Sequence, residues 1–344
     1  MTSSSTLSAF LVDHAAASEL SSAVAMTIRN IAVAAATIAA RIADGASSAH
    51  HGLEEQQNTQ GEIQKVLDVL AHDAFVAAAK KSSVAYLLSE EAELPLAMGD
   101  GGLIALAIDP LDGSSNIAVN SCIGTIFGLY PAHWGHPEQS FLRKGRDLLA
   151  AGYVIYGART ELVLSVGGSV MVFALDAARQ EWVFHRNCMI AHSTREFAIN
   201  MSNYRFWSAP VRHFVDQCLD GAKGVLAEDY NMRWLAAVAG EAHRILARGG
   251  IFLYPRDDRK GHEHGRLRLL YECFPIAFLI EKSGGEASDG KTAILDLVAK
   301  DYHQKSPLCF GSRAQMHAFG QAADQAQMQH SPLFARRSLL RVDG

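Results

Sequence analysis

Layered α/β architecture is the fold class this sequence predicts, and three observations predict it. Short apolar runs bounded by charge or glycine suit buried strands, the middle of the chain is strand-rich with turn residues between runs, and the second half alternates helical and strand-like segments. The 344 residues allow a large core and suggest two domains or one large α/β unit. A hydrophobic share of 49% with 19% charged residues is that of a globular chain, neither disordered nor fibrous.

From Ala23 to Ile42 apolar spacing and high alanine content predict a long helix, stopped by Asp44-Gly45. Arg29 and Arg41 cut its uncharged run below the ~20 residues of a membrane span, so it reads as a packing helix. Asp13, His14 and Glu19 stand where a signal peptide would carry positive charge, which argues against export and for a cytoplasmic location. The polar stretch from Gly45 to Gly61 has neither period and reads as a mobile loop of the kind that closes over substrate. Gln64 to Lys80 returns to helical spacing.

V-A-Y-L-L (84–88) and L-I-A-L-A-I (103–108) read as buried strands that end in carboxylates, Glu90 and Glu91 after the first and Asp109 after the second. Strand-like runs recur at 123–130, 151–156, 162–166, 170–175 and 182–185. Beyond them, helices over 211–218, 234–247 and 267–282 alternate with strands over 250–254 and 293–298. The domains predicted are 1–190, 191–330 and a loose basic tail over 331–344. The net charge of -5 offers no basic field for a polyanion, so nucleic acid is a poor partner and any phosphate must be held locally. Five widely spaced cysteines without a CxxC pair fit reduced, buried thiols.

D-P-L-D-G-S-S-N (109–116) is the most informative stretch. Two aspartates at the mouth of a buried strand are costly unless a cation neutralises them. Magnesium takes oxygen ligands and is commonly shared between a few carboxylates and a substrate phosphate. Gly113 lets the backbone approach that phosphate, and Ser114 and Ser115 offer hydroxyls and consecutive amides. Its Asp, Pro, Gly, Ser and Asn are also all turn formers, so alone the motif is equally well a turn. Glu90 and Glu91 can join Asp109 and Asp112 if the two strands pair. Arg268 and Glu272, four apart on a predicted helix with little surface facing water, add a further buried acid that needs a cation.

Taken together these blocks resemble the class I fructose-1,6-bisphosphatases, within the superfamily of lithium-sensitive, magnesium-dependent sugar and inositol phosphatases. D-P-L-D-G-S-S-N is similar to the superfamily metal loop, and G-R-L-R-L-L-Y-E-C-F-P-I-A (265–277) to the family signature. Q-K-V-L-D-V-L (64–70), L-S-E-E (88–91), I-G-T-I-F-G (123–128) and G-G-I-F-L-Y (249–254) extend the likeness from about residue 20 to about 320.

The resemblance implies an α-β-α-β-α five-layer sandwich, a homotetramer, and hydrolysis of the 1-phosphate of fructose 1,6-bisphosphate. It further implies two or three Mg2+ per subunit, with Mn2+ as a substitute. Carried over residue by residue, Glu90, Glu91, Asp109, Asp112, Glu272 and the Leu111 carbonyl are metal ligands. Asp68 and Glu91 activate the attacking water, with Glu62 and Arg268 also catalytic. Asp112, Gly113, Ser114 and Ser115 hold the transferred phosphate, while Asn200, Tyr204, Tyr254 and Arg266 surround the distal one. Arg233 reaches in from a neighbouring subunit.

Some positions depart from the family. Glu62 replaces an aspartate, Arg266 a lysine, Trp234 a tyrosine, and A-A-V (236–238) a Gly-Ser-Met stretch lining the sugar pocket. These leave sedoheptulose 1,7-bisphosphate as an alternative substrate, with an inositol or nucleotide phosphatase as the lesser alternative and a silent sugar-phosphate sensor as the non-enzymatic one. A-A-A-S-E-L (15–20) and Leu103-Ile104 stand where a nucleotide-phosphate turn and a Lys-Tyr pair bind AMP, so AMP inhibition through that site is expected to be weak or absent. His50-His51 and His262-Glu263-His264 lack further ligands at zinc spacing.

Overall fold

The computed structural model describes residues 6–44 and 59–330. It opens with α1 (Leu7–Ala15) and α2 (Glu19–Ala43), whose first-turn amides are taken by the Thr6 and Ser18 hydroxyls. By composition alone an 18-residue window of α2 could cross a membrane, but 67% of it is buried within the fold. α3 (Thr59–Lys80) starts earlier than the predicted Gln64. The segment 45–58 read as a mobile loop, the side chain of Glu62, the His50-His51 pair and the tail 331–344 lie outside the described residues.

β1 (Val84–Ser89), β2 (Leu96–Ala97), β3 (Ile104–Asp112), β4 (Ile123–Pro131), β5 (Ala150–Tyr156), β6 (Thr160–Ser165), β7 (Val170–Asp176) and β8 (Glu181–Cys188) form an eight-stranded sheet. Its order is β2-β1-β3-β4-β5-β6-β7-β8, and β1 and β3 run parallel while every other pair is antiparallel. A short helix, α4 (Pro137–Phe141), follows β4. The second half supplies β9 (Glu196–Ala198), α5 (Ala209–Leu219), β10 (Asn231–Met232), α6 (Val238–Arg248), β11 (Ile251–Tyr254) and β12 (Leu267–Arg268). It continues through α7 (Phe274–Lys282), β13 (Glu286–Ser288), β14 (Lys305–Ser306), β15 (Leu308–Gly311) and α8 (Arg313–His330). A five-stranded sheet runs β10-β9-β11-β15-β13, and β12 with β14 makes a separate ribbon.

Strand alternation sorts the apolar side chains into three cores, and the cores define five layers. Ile104, Leu106 and Ile108 of β3 pack with α1, α2 and α3. Ala105 and Ala107 point the other way, into a core shared with α6, α7 and one face of the second sheet. In β11 Phe252 enters that middle core, whereas Ile251 and Leu253 join α5 and α8 behind the second sheet. The layers are therefore helices, sheet, helices, sheet, helices.

Three predicted elements differ. The helix expected from Trp234 begins at Val238, because Ala236 takes a left-handed φ of 58° and no α-helix continues through it. Residues 267–282 are helical only from Phe274: Leu267–Arg268 pairs with β14, Leu269–Cys273 forms a π-helical turn, and Pro275, which has no amide hydrogen, fits only the first turn of α7. Residues 293–298 make a 3-10 turn, Ile294–Asp296, with Asp296 directed to Arg146.

Candidate active site

The parallel pairing of β1 with β3 sets Ser89 beside Ile108, and the Glu90 amide donates to the Ile108 carbonyl at 3.1 Å. β1 thus brings Glu90 beside Asp109 at the end of β3, while Glu91 acts on Asp68. Residues 109 and 112, three apart on a regular strand, would face opposite sides. A bulge prevents this: Asp109 lies opposite Ile126 but Asp112 opposite Gly124, so one extra residue on β3 turns both aspartates inward. Pro110 loses nothing by lacking an amide hydrogen there, and its carbonyl accepts from the buried Thr125 hydroxyl at 2.8 Å.

Glu272 completes the group from the π-helical turn, a distortion that recurs at functional sites. It accepts the Arg268 backbone amide at 2.6 Å, so the predicted i,i+4 side-chain pair on a helix is replaced by a strand-to-turn contact through the backbone. Asp109 accepts from the Leu111 amide at 3.0 Å. Asp112 accepts from the Ala239 amide at 2.7 Å and from the Val238 amide, so it sits on the positive end of α6. Sequence reasoning missed this role of α6, because the helix was placed to start too early. Gly113 has φ 76°, and a Cβ on it would meet the Ala237 Cβ at 2.8 Å, so glycine is required.

Oxygen atoms of buried Asp109, Asp112 and Glu272 lie within 4.8 Å of one another. Burial, then repulsion from Glu90, Asp112 and Glu272, pushes Asp109 well above the usual carboxylate range. Burial and Glu90 do the same to Glu272. Burial lifts Asp112 to about 6 against the two α6 amides, which pull it down. Asp68, half-buried and hydrogen-bonded to Ser114, is raised to about 6 by burial and by Glu91. Glu90 is also raised by burial, but it keeps an exposed edge, so the buried trio carries the argument. A hard, oxygen-only donor set under mutual repulsion fits a divalent cation. Neither sulfur nor imidazole belongs to the set.

Opposite this acid wall an open cavity of about 450 Å³ extends from Glu90 and Glu272 to Arg266, Arg268 and Tyr254. Lys260, His262 and Lys305 also line it, three residues that sequence reasoning did not bring to the site. Tyr254 and Arg266 continue into a small cleft lined by Asn200. The Asn200 side chain accepts from the Ser202 amide at 3.2 Å. Tyr204 is not brought to either space; its hydroxyl donates to Asp216 at 2.8 Å. Arg233 lies exposed, 4.0 Å from Glu196, outside the cavity of its own chain. Ser115 is exposed in the 109–116 stretch. All five cysteines are free thiols, four of them buried. His262 faces Asp257 at 3.4 Å and His264 is exposed, so the two histidines do not converge.

The fold is shared with a solved structure. A Leishmania major fructose-1,6-bisphosphatase in holo form is similar over 93% of this chain and 99% of its own, with a TM-score of 0.83 at 29% identity. Residues 5–187 match "Fructose-1-6-bisphosphatase, N-terminal domain" and residues 190–324 its C-terminal domain. Among curated relatives, the "Fructose-1,6-bisphosphatase class 1" of Methylorubrum extorquens is 45% identical over 323 residues, 92% of each chain. That of Sinorhizobium medicae is 44% identical over 348 residues, covering 99% of this chain and all of the relative. The chain belongs to the fructose-1,6-bisphosphatase family.

Proposed function

We propose that the chain hydrolyses the 1-phosphate of fructose 1,6-bisphosphate to fructose 6-phosphate and inorganic phosphate. One observation carries the reading: a single cavity runs from Glu272, a member of the buried carboxylate cluster, and Glu90 past Arg268 to Arg266 and Tyr254. Only a ligand with a phosphate to react and a second anion to anchor matches both walls, and binding energy from the remote anion can be used at the reacting centre.

Asp109, Asp112, Glu272, Glu90, Glu91 and the Leu111 carbonyl are the groups suited to hold Mg2+, or Mn2+ in its place, at two or three sites. When bound, such an ion makes water acidic and withdraws charge from phosphoryl oxygens. Asp68, whose affinity for a proton is raised towards neutrality, takes the proton of the attacking water, with Glu91 beside it. Glu62, carried on the same helix, adds a further acid. Gly113, Ser114 and Ser115 orient the transferred phosphate through amides and hydroxyls, and Arg268 offsets its charge. Arg266, Tyr254 and Asn200 hold the distal phosphate, joined by Tyr204 once it releases Asp216.

Arg233 serves the site of a neighbouring subunit in a homotetramer, consistent with its position outside its own cavity. We assign an N-terminal domain over 1–190, with the metal loop, and a sugar-phosphate-binding domain over 191–330; the separation of the eight-stranded from the five-stranded sheet supports this division. We further propose a cytoplasmic location.

The test is phosphate release from fructose 1,6-bisphosphate with and without magnesium, beside sedoheptulose 1,7-bisphosphate and inositol 1-phosphate. Magnesium-dependent release that favours the six-carbon bisphosphate is expected. Faster release from inositol 1-phosphate, or none from either bisphosphate, would refute the proposal.

A further inference from the structure

Lys305 is placed where a protein selected for stability alone would not put it. In the β12–β14 ribbon it pairs directly with Arg268, and like charges opposite one another on antiparallel strands are destabilising. Arg266 and Arg268 are two apart on the extended segment leading through β12, and both line the cavity with Lys305. Lys260 approaches the same cavity from the loop after Tyr254. Among the described residues none of Lys260, Arg266 and Lys305 has a carboxylate partner.

The loop that presents Lys260 is fixed rather than trailing. Asp257 pairs with Arg259 and faces His262, the Asp258 amide donates to the Phe206 carbonyl at 3.3 Å, and the Arg259 guanidinium lies 4.7 Å from the Phe206 ring centre. Within that loop Asp257 is taken by Arg259 and Glu263 accepts the Gly261 amide at 2.8 Å, while Lys260 lines the cavity. Arg268 has Glu90 and Glu272 beside it, but Lys260, Arg266 and Lys305 have no carboxylate partner among the described residues, so an anion that arrives from solution is what compensates them.

We propose that Lys305, supported by Lys260, is a substrate-binding residue that selects a doubly phosphorylated sugar over a singly phosphorylated one. The inference rests on the phosphatase reading and adds to it residues beyond the Arg266 group. Lys305 lies opposite Arg268 in the ribbon and lines the same cavity as Glu272 and Arg266, within which a doubly phosphorylated ligand would meet it.

The experiment uses the full chain with Lys305→Gln and Lys305→Arg, read by steady-state kinetics on fructose 1,6-bisphosphate and by thermal melting with inorganic phosphate. Lys305→Gln is expected to raise KM about tenfold with a smaller change in kcat. It should also leave the ligand-free Tm unchanged or higher, through relief of the repulsion on Arg268. Lys305→Arg should keep KM near wild type. A KM for Lys305→Gln equal to wild type, or one equally raised in Lys305→Arg, overturns the proposal. If the wild type releases no phosphate, the phosphatase reading fails separately, and the melting arm then decides: phosphate must raise Tm in wild type and do so less in Lys305→Gln.

Discussion

At the end of β3 each buried acid is already held by the backbone: Asp109 by Leu111, Asp112 by the first amides of α6, Glu272 by Arg268. Across the cavity Arg266, Lys260 and Lys305 stand on loops and a two-residue ribbon, with no carboxylate among the described residues to hold them. The acid wall is preorganised by regular structure; the cationic wall is completed by what it binds. Electrostatic preorganisation belongs where charge is rearranged in the reaction, and adjustable cations where a remote group is anchored. The comparison therefore predicts that damage to the first wall lowers kcat and damage to the second raises KM.

The largest effect is expected at Asp109. Asp109→Asn keeps size and burial but removes a charge from the centre of the cluster, and kcat should fall by at least about a thousandfold. Its metal-free Tm should nevertheless rise, because one of the repelling carboxylates has gone. Steady-state assay and melting in chelator check the two halves. A kcat within tenfold of wild type would mean that the acid wall is scaffolding.

Next in size is the pH response of the metal-free protein. Asp112 is pushed up to about 6 in the fold, against an ordinary value of ~3.9 when unfolded. The folded form binds the proton more tightly, so the stability from this group is fully present below about pH 4 and is lost as pH rises through about 6, on the order of 2–3 kcal/mol. Asp109 and Glu272, also raised, extend the loss upward. Melting in chelator should show Tm falling across that window, less so in Asp112→Asn, and magnesium at neutral pH should restore it. A Tm that rises from pH 4 to 6 in chelator would contradict the upward shifts.

On the other wall, Arg266→Ala should raise KM for fructose 1,6-bisphosphate by about tenfold to thirtyfold, the equivalent of ~1.4–2 kcal/mol, with kcat reduced less. Equal losses in kcat and in kcat/KM would place Arg266 in transition-state binding and erase the contrast between the walls.

The acid wall was legible because strand ends are. Apolar runs at 84–88 and 103–108 could be read as strands, and carboxylates that end two neighbouring strands meet wherever the strands pair. The bulge that turns Asp112 inward left only the proline and glycine of the motif as a trace. Glu272 was found for a partly wrong reason: a helical spacing to Arg268 pointed to it, whereas a π-helical turn delivers it. Lys305 and Lys260 were not legible at all. A two-residue strand has no period to detect, and its partner is set by tertiary packing alone. Tyr204 and Arg233 show the reverse limit, since a motif carries residues to a site that one chain in this conformation does not bring together.

The smallest effect tests the joint between the walls. Ala236 lies between Trp234, stacked 6.0 Å from Tyr254 on the cationic side, and the α6 amides that hold Asp112 on the acidic side. It adopts φ 58°, where an alanine Cβ is crowded and glycine is not. The resemblance to the family places a glycine there, so this chain carries local strain at the turn that relates its two walls. Ala236→Gly removes that strain but gives the unfolded chain more freedom, and the terms oppose each other. With a left-handed penalty of ~1–2 kcal/mol against an entropic cost of ~0.5–1 kcal/mol, the variant should be more stable by about 0.5–1 kcal/mol. Chemical denaturation measures the difference directly. A less stable variant would show that packing holds Ala236 in place without strain, and that the acid and cationic walls are joined more rigidly than the backbone angle suggests.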